Sequence, residues 1–348
     1  MEKLNILLTR ARKKRKFKVH DTWIYVTERC NLRCDYCFFK HKHGRDISLE
    51  AVKQLFLLFE REETVPATLI FSGGEPLLAK DKLFSILSEA HRRFKGISLH
   101  IQTNGSLIDQ ASIEKFRRWK VSLEFGIDGS SEQTIKHRCG LKSTSFKRLT
   151  DNISMCLKAG ISCGCTMTVH PQEVRYMDQG LDFLQKMGIP HVDITPAAFM
   201  SWSAEMVAFF KRKYLALARR PEYRRVMYAN EDNEWIGPGV MDLSLHPPGY
   251  LLGGDPFLCL PENKRIEFNL WDPTNGKVKP KVLSFYQDAY DRMRQQKDRI
   301  LYREYVGHSF KLINTMMGEE YMNTAAINDI LRFLTRTHLT LGIKKYGK

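Results

Sequence analysis

"TERCNLRCDYCFFKHKH", residues 27–43, places three of the chain's eight cysteines within eight positions. The spacing is C-x-x-x-C-x-x-C, formed by Cys30, Cys34 and Cys37, with His41 and His43 close behind. The preceding "TWIYVT" (22–27) is β-branched and aromatic, which predicts a strand. The triplet therefore occupies the loop at that strand's C-terminal end. Three thiols cannot all pair as disulfides, and they are one ligand short of a closed tetrahedral site. Three thiolates can hold three irons of an iron–sulfur cube and leave the fourth iron open. Alternatively, His41 completes C-x-x-x-C-x-x-C-x-x-x-H, a Cys₃His zinc site.

Outward from this loop the sequence alternates regularly. Strands are predicted at 22–27, 67–72, 97–103, 121–127, 161–169 and 191–195, and helices at 48–62, 80–94, 109–119, 145–160 and 173–188. Ser48 opens the first helix as its N-cap. Six β-α units with short connections predict an α/β fold, a parallel sheet with right-handed crossovers closed into a partial (β/α)₆ TIM-like barrel. Chemistry in such barrels sits at the C-terminal ends of the strands. There is no G-x-G-x-x-G after the first strand, which weighs against a dinucleotide-binding fold.

The next three loops carry ligand-type residues at that same end. Strand two ends in "FSGGEPLL" (71–78), where Gly73 and Gly74 permit close backbone approach and Glu75-Pro76 follow. Strand three ends in "QTNGSL" (102–107), an Asn104-Gly105 turn. Strand four ends in "GIDGSS" (126–131), with Arg138 downstream.

Together, C-x-x-x-C-x-aromatic-C, "GGEP", "TNG" and "IDG" resemble the pattern of radical S-adenosylmethionine enzymes, over roughly residues 20–195. Within that superfamily the pattern is similar to the peptide- and protein-maturing branch that includes anaerobic sulfatase-maturating enzymes. The resemblance implies that Cys30, Cys34 and Cys37 hold one 4Fe–4S cluster, with Tyr36 beside the adenine of S-adenosylmethionine. Gly73, Gly74, Glu75 and Pro76 would receive the methionine amino group, chiefly through backbone carbonyls. Asn104 and Ser122 are further cofactor-binding candidates. Arg138 would meet the methionine carboxylate, a pairing that suits a guanidinium. Where the branch commonly carries a Pro and a His-Asp pair in the strand-four loop, this chain has Ser130, Thr134 and Ile135. Reductive cleavage of the cofactor would give methionine and a 5′-deoxyadenosyl radical that abstracts hydrogen from a substrate, the electron coming from a flavodoxin or ferredoxin.

Composition fits an ordinary globular protein, at 43% hydrophobic and 27% charged residues. No apolar run approaches the roughly 20 residues that span a bilayer, and no signal-peptide pattern opens the chain. The expectation is a cytoplasmic enzyme with no membrane partner, where clustered thiols serve metal or redox chemistry. The net charge of +16 is concentrated in residues 1–20, 211–225 and 331–348. Such basic patches suit an anionic partner, nucleic acid included.

The expected organisation is a basic segment at 1–20 and a core barrel at 21–196. Beyond it lie a basic helix with an irregular or short-β region at 197–280, and a helical segment at 281–348. Many relatives in the branch add a cysteine-rich domain with further clusters. Here only Cys259 follows residue 165, so one cluster is expected and 235–280 reads as a reduced, cluster-free form of that domain. Cys156, Cys163, Cys165 and Cys259 read as packing residues, and His41 and His43 as solvent-exposed once the cube is accepted. Candidates for proton transfer are Glu124, on the inner face of strand four near His100 and Gln102, together with Asp255 and Cys139.

The reading is a radical S-adenosylmethionine enzyme acting on a peptide or protein. Its alternatives are modification of RNA or of a phosphorylated small molecule, and a non-catalytic zinc module built on Cys30, Cys34, Cys37 and His41.

Overall fold

A computed structural model describes residues 18–37, 39, 43–61, 63–227, 235–236, 240–246, 250–252, 271–272, 277–282, 284–285, 300–301 and 324–341. His41, Asp255, Cys259, the basic residues 1–17 and the tail beyond 341 lie outside these. So do most of the expected cluster-free region at 235–280 and most of 281–323.

Alternation of apolar and polar residues along each strand decides the architecture. In β1 (Lys18–Thr27), β2 (Thr68–Gly73), β3 (Ser98–Thr103), β4 (Ser122–Gly126), β5 (Cys163–Val169) and β6 (Val192–Pro196), neighbours pair in parallel throughout. One face of each strand is apolar. Ile24, Val26, Leu69, Phe71, Leu99, Ile101, Leu123, Phe125, Cys163, Cys165 and Ile194 join a single buried core. The helices that cover this face supply its other half, since a period-2 apolar stripe must meet a period-3.6 one. They are α1 (Leu49–Arg61), α2 (Lys80–Arg93), α3 (Gln110–Arg118), α4 (Ser131–His137), α5 (Ser143–Lys158) and α6 (Met177–Lys186). Phe56, Leu87, Phe116, Leu149 and Leu181 are their anchors.

The opposite, inward face differs. Trp23, Tyr25 and Ile70 form a small separate cluster with Phe39, and Cys37 packs against it. Across the sheet the same rung continues from Ile70 to His100 and from His100 to Ser122. The next rung pairs Gln102 with Glu124. A polar lumen walled on one side by aromatic rings results, as expected of a partial barrel with its chemistry inside.

Capping residues set the helix starts. Asp109 accepts the Ser112 N–H at 2.9 Å, and Ser203 accepts that of Met206 at 3.2 Å to open α7 (Ala204–Ala218). The seven-residue α4 starts with a capping box between Ser130 and Gln133, the S-x-x-Q signature.

The sheet also extends beyond β1. β7 (Val240–His246) pairs parallel with β1, and β8 (Tyr250–Leu252) pairs antiparallel with β7. The full order is β8-β7-β1-β2-β3-β4-β5-β6. At the other end, α8 (Thr324–Leu341) packs on α7, with Phe333 edge-on to Tyr214 at 6.1 Å. The basic stretch 211–225 is partly neutralised there. Lys211 meets Asp329 at 2.6 Å, Lys213 meets Asp178 at 2.7 Å, and Arg220 meets Glu222 at 2.9 Å. No described helix is long and apolar enough to cross a membrane.

Candidate functional site

The cysteine loop leaves β1 at Thr27 and is closed at its neck by charged pairs. Glu28, fully buried, accepts the His43 N–H at 2.8 Å and the Arg45 guanidinium at 3.0 Å. Burial pushes the Glu28 carboxyl up, but the hydrogen bonds and charge of Arg45 outweigh it and hold the group below its usual range. Arg29 grips Asp46 in parallel, at 3.1 and 2.9 Å. Cys30, Cys34 and Cys37 are each partly exposed. Burial pushes the Cys34 thiol up to about 11, against the pull of the Arg138 charge, with Cys37, Asp128 and Cys30 adding to the rise. Three soft donors from one pinned loop suit an iron–sulfur cube or another thiophilic metal.

The glycine loop after β2 is sewn directly onto the cysteine loop. Gly74 N–H donates to Thr27 O and Glu75 N–H to Arg29 O, both at 2.8 Å. A Cβ on Gly73 would stand 2.3 Å from Thr27 O, and one on Gly74 2.2 Å from Arg29 O. Only glycine permits this approach, and Gly73 also sits at φ +142°. The Glu75 carboxylate does not point at the cysteines. It is fully buried and accepts from Leu77 N, Thr103 Oγ1 and Asn104 N at 3.0, 2.8 and 2.7 Å. Burial raises its pKa against these bonds.

Asn104 is likewise turned toward protein. Its amide donates to Asn31 Oδ1 at 2.8 Å and accepts from Ser106 N–H and Oγ, while Asn31 donates to Ser106 Oγ at 2.9 Å. Asn31 is a spacer in the cysteine motif, and nothing in the spacing marks it. Its polar side chain one residue after Cys30 is the only signal.

The strand-four loop completes the ring. Arg33–Cys34 pairs antiparallel with Arg138–Cys139, Cys34 opposite Arg138. Arg138 is buried and forks onto Asp128 through Nε at 3.0 Å and Nη2 at 2.9 Å. Tyr36 donates its hydroxyl to the same carboxylate at 2.5 Å, and its ring lies 5.6 Å from the Arg138 carbon. Burial opposes the Arg138 charge, but Asp128 more than compensates and holds its pKa well above the ordinary value. Thr134, where the related branch commonly has His, accepts the Asp128 N–H and donates to Gly129 O. It fixes the turn that carries Asp128.

On the outer side of this ribbon, His137 bonds Asp35 at 2.7 Å and stacks on His170 at 4.1 Å and 10°. Ligand-type atoms of the three residues lie within 4.8 Å. Parallel rings hold their lone pairs side by side rather than converging, so the cluster reads as a joint between loops rather than a chelate.

The remaining candidates are scattered. Ser122 opens β4, at the end of the barrel opposite the cysteines, and shares a 2.8 Å hydrogen bond with His100. Glu124 is buried mid-strand and accepts from Thr166 Oγ1 of β5 at 2.8 Å. Cys139 is exposed, whereas Cys156, Cys163 and Cys165 are buried. Cys30, Cys34, Cys37, Tyr36, Gly73, Gly74, Glu75, Asn104 and Arg138 are brought together at the C-terminal ends of β1 to β4.

Residues 24–195 match the family model of the radical SAM superfamily. Fe-coproporphyrin III synthase of Methanosarcina barkeri is 30% identical over 188 residues, 52% of this chain and 45% of that protein. PqqA peptide cyclase of Granulibacter bethesdensis is 26% identical over 182 residues, 51% of this chain and 47% of that one. The chain thus spans about half the length of the curated relatives it matches. The solved structure of native anSMEcpe with bound AdoMet and Cp18Cys peptide shares the fold at a TM-score of 0.57 and 17% identity, over 86% of this chain and 99% of that one. The family match runs from within β1 to the end of β6, the same half-barrel whose loops meet at the cysteines, and the chain belongs to the radical SAM superfamily.

Proposed function

We propose that the protein is a radical SAM maturase in which Cys30, Cys34 and Cys37 hold a single 4Fe–4S cluster. S-Adenosylmethionine would be bound beside it, and the substrate would be a peptide or protein. One observation carries this reading: the three-thiol loop is sewn to the glycine loop and to the Arg138 ribbon at one mouth of a polar lumen.

When bound, the cluster and S-adenosylmethionine supply one-electron cleavage of the cofactor and hydrogen abstraction from the substrate. The chain's own residues bind and orient. The N–H groups of Gly74 and Glu75 are spent on Thr27 O and Arg29 O, and backbone carbonyls of that loop would serve an ammonium group. Arg138 offers charge to a carboxylate, and the Tyr36 ring offers a flat surface to a purine. Trp23, Tyr25, Phe39 and Ile70 keep water from the Cys37 side of the lumen.

A peptide substrate is supported by the peptide cyclase among the relatives and by a peptide-bound structure of the same fold. The reading of nucleic acid or a phosphorylated small molecule rested on basic patches. In the described part of one of them, Lys211, Lys213 and Arg220 are already paired with acids. The test is to incubate the anaerobically reconstituted protein, with cofactor and reductant, with short peptides encoded beside its gene. A mass change in one peptide is expected. Binding to RNA that falls steeply with salt, with no peptide altered, would overturn the peptide assignment.

A further inference from the structure

Two of the three guanidinium nitrogens of the buried Arg138 are committed to one carboxylate. Nε and Nη2 are both taken by Asp128. Nη1 is the remaining terminal nitrogen, and it lies over Gly126, the last residue of β4, where a Cβ would stand 2.6 Å away. Asp128 is held in turn from two other directions. Tyr36 of the cysteine loop donates to Oδ2 at 2.5 Å, and the Thr168 N–H of β5 donates to Oδ1 at 3.1 Å. One carboxylate thus accepts four hydrogen bonds from the cysteine loop, the strand-four ribbon and the fifth strand.

We propose that Asp128 is a positioning residue for cofactor recognition. By gripping two of the three guanidinium nitrogens it aims Nη1 through the gap at Gly126, where it selects a ligand bearing an α-carboxylate. This rests on the proposed binding of S-adenosylmethionine at the site. A guanidinium without that grip would rotate about its long side chain, and the fork geometry that makes Arg a directional carboxylate reader would be lost. The sequence marked Asp128 only as a turn residue. Its four bonds make it the hinge pin of the mouth.

The test compares S-adenosylmethionine with its decarboxylated analogue on the anaerobically reconstituted full chain. Binding is read by equilibrium dialysis and by the change each ligand makes in the EPR spectrum of the reduced cluster. Wild type is expected to favour the carboxylate-bearing ligand. Asp128→Asn is expected to lose about tenfold or more of that preference, the scale of a charge-assisted contact, with iron and sulfide content unchanged. Because Asp128→Asn strands a buried cation, Asp128→Asn/Arg138→Gln serves as the folding control. It is expected to recover the melting temperature without recovering the preference. Asp128→Asn that discriminates as wild type does, or that loses both ligands equally, overturns the positioning role. Wild type that binds neither ligand overturns instead the reading on which it rests.

Discussion

The Glu75 carboxylate accepts the backbone N–H of Asn104 at 2.7 Å, and so ties the loop after β2 to the loop after β3. The acid of the glycine motif is therefore a structural brace between two ligand-bearing loops. Glu75→Gln keeps one acceptor oxygen but sets an amide donor against the Asn104 N–H. A loss of about 1–3 kcal/mol is expected from one buried donor left unsatisfied, measured by denaturant unfolding. A variant as stable as wild type would contradict the brace.

Close approach rather than turn propensity explains Gly74. Gly74→Ala must push Arg29 O, and the cysteine loop with it, away from the new Cβ, which would stand only 2.2 Å off. Reduced iron and sulfide uptake is expected on anaerobic reconstitution. Gly44→Ala is the control: its φ of +74° carries a conformational cost of about 1 kcal/mol, but nothing among the described residues lies within 4 Å of the new Cβ. Equal cluster loading in both variants would show that the contact does not matter.

The described thiols divide into two classes. Cys30, Cys34, Cys37 and Cys139 are at least partly exposed, while Cys156, Cys163 and Cys165 are buried, with burial pushing Cys156 up to about 12 and the other two further. Brief alkylation of folded, iron-free protein should label Cys30, Cys37 and Cys139 first, Cys34 more slowly because burial raises its thiol to about 11, and spare the buried set, as read by peptide mass mapping. Loading the cluster should then protect Cys30, Cys34 and Cys37 but not Cys139.

His100 supplies a pH dependence. Burial pushes it down to about 4 from 6.5. Between those values the unfolded chain takes up the proton and the folded one resists it. The stability held above pH 6.5 therefore drains away as the pH falls toward 4, by at most about 3 kcal/mol. His100→Gln should flatten that part of a denaturant-midpoint profile. An unchanged slope would show that His100 is protonated freely in the fold.

Much of this was legible from residue pattern, because each barrel strand alternates and each ligand loop follows a strand end. The six strands, their order in the chain and the gathering of Cys30, Gly73, Asn104 and Arg138 at one mouth all follow from that. What stayed hidden was direction. No spacing shows that the side chains of Glu75 and Asn104 turn toward protein, or that Ser122 lies at the far end of β4. Nor does it show that Asp128 serves three segments, because these facts depend on pairings between residues far apart in the chain, from 28 positions for Glu75 and Thr103 to 92 for Tyr36 and Asp128. β7 was missed as a neighbour of β1 for the same reason: parallel pairing leaves no local turn signal.

The central claim is that three thiols and the loops sewn to them form a radical SAM site. The most direct measurement is anaerobic incubation of reconstituted protein with S-adenosylmethionine and a strong reductant, following 5′-deoxyadenosine. A brown protein containing iron and sulfide that releases 5′-deoxyadenosine, with release abolished by Cys34→Ala, is the expected result. An intact cluster that yields none, or a colourless protein holding one zinc, would contradict the account.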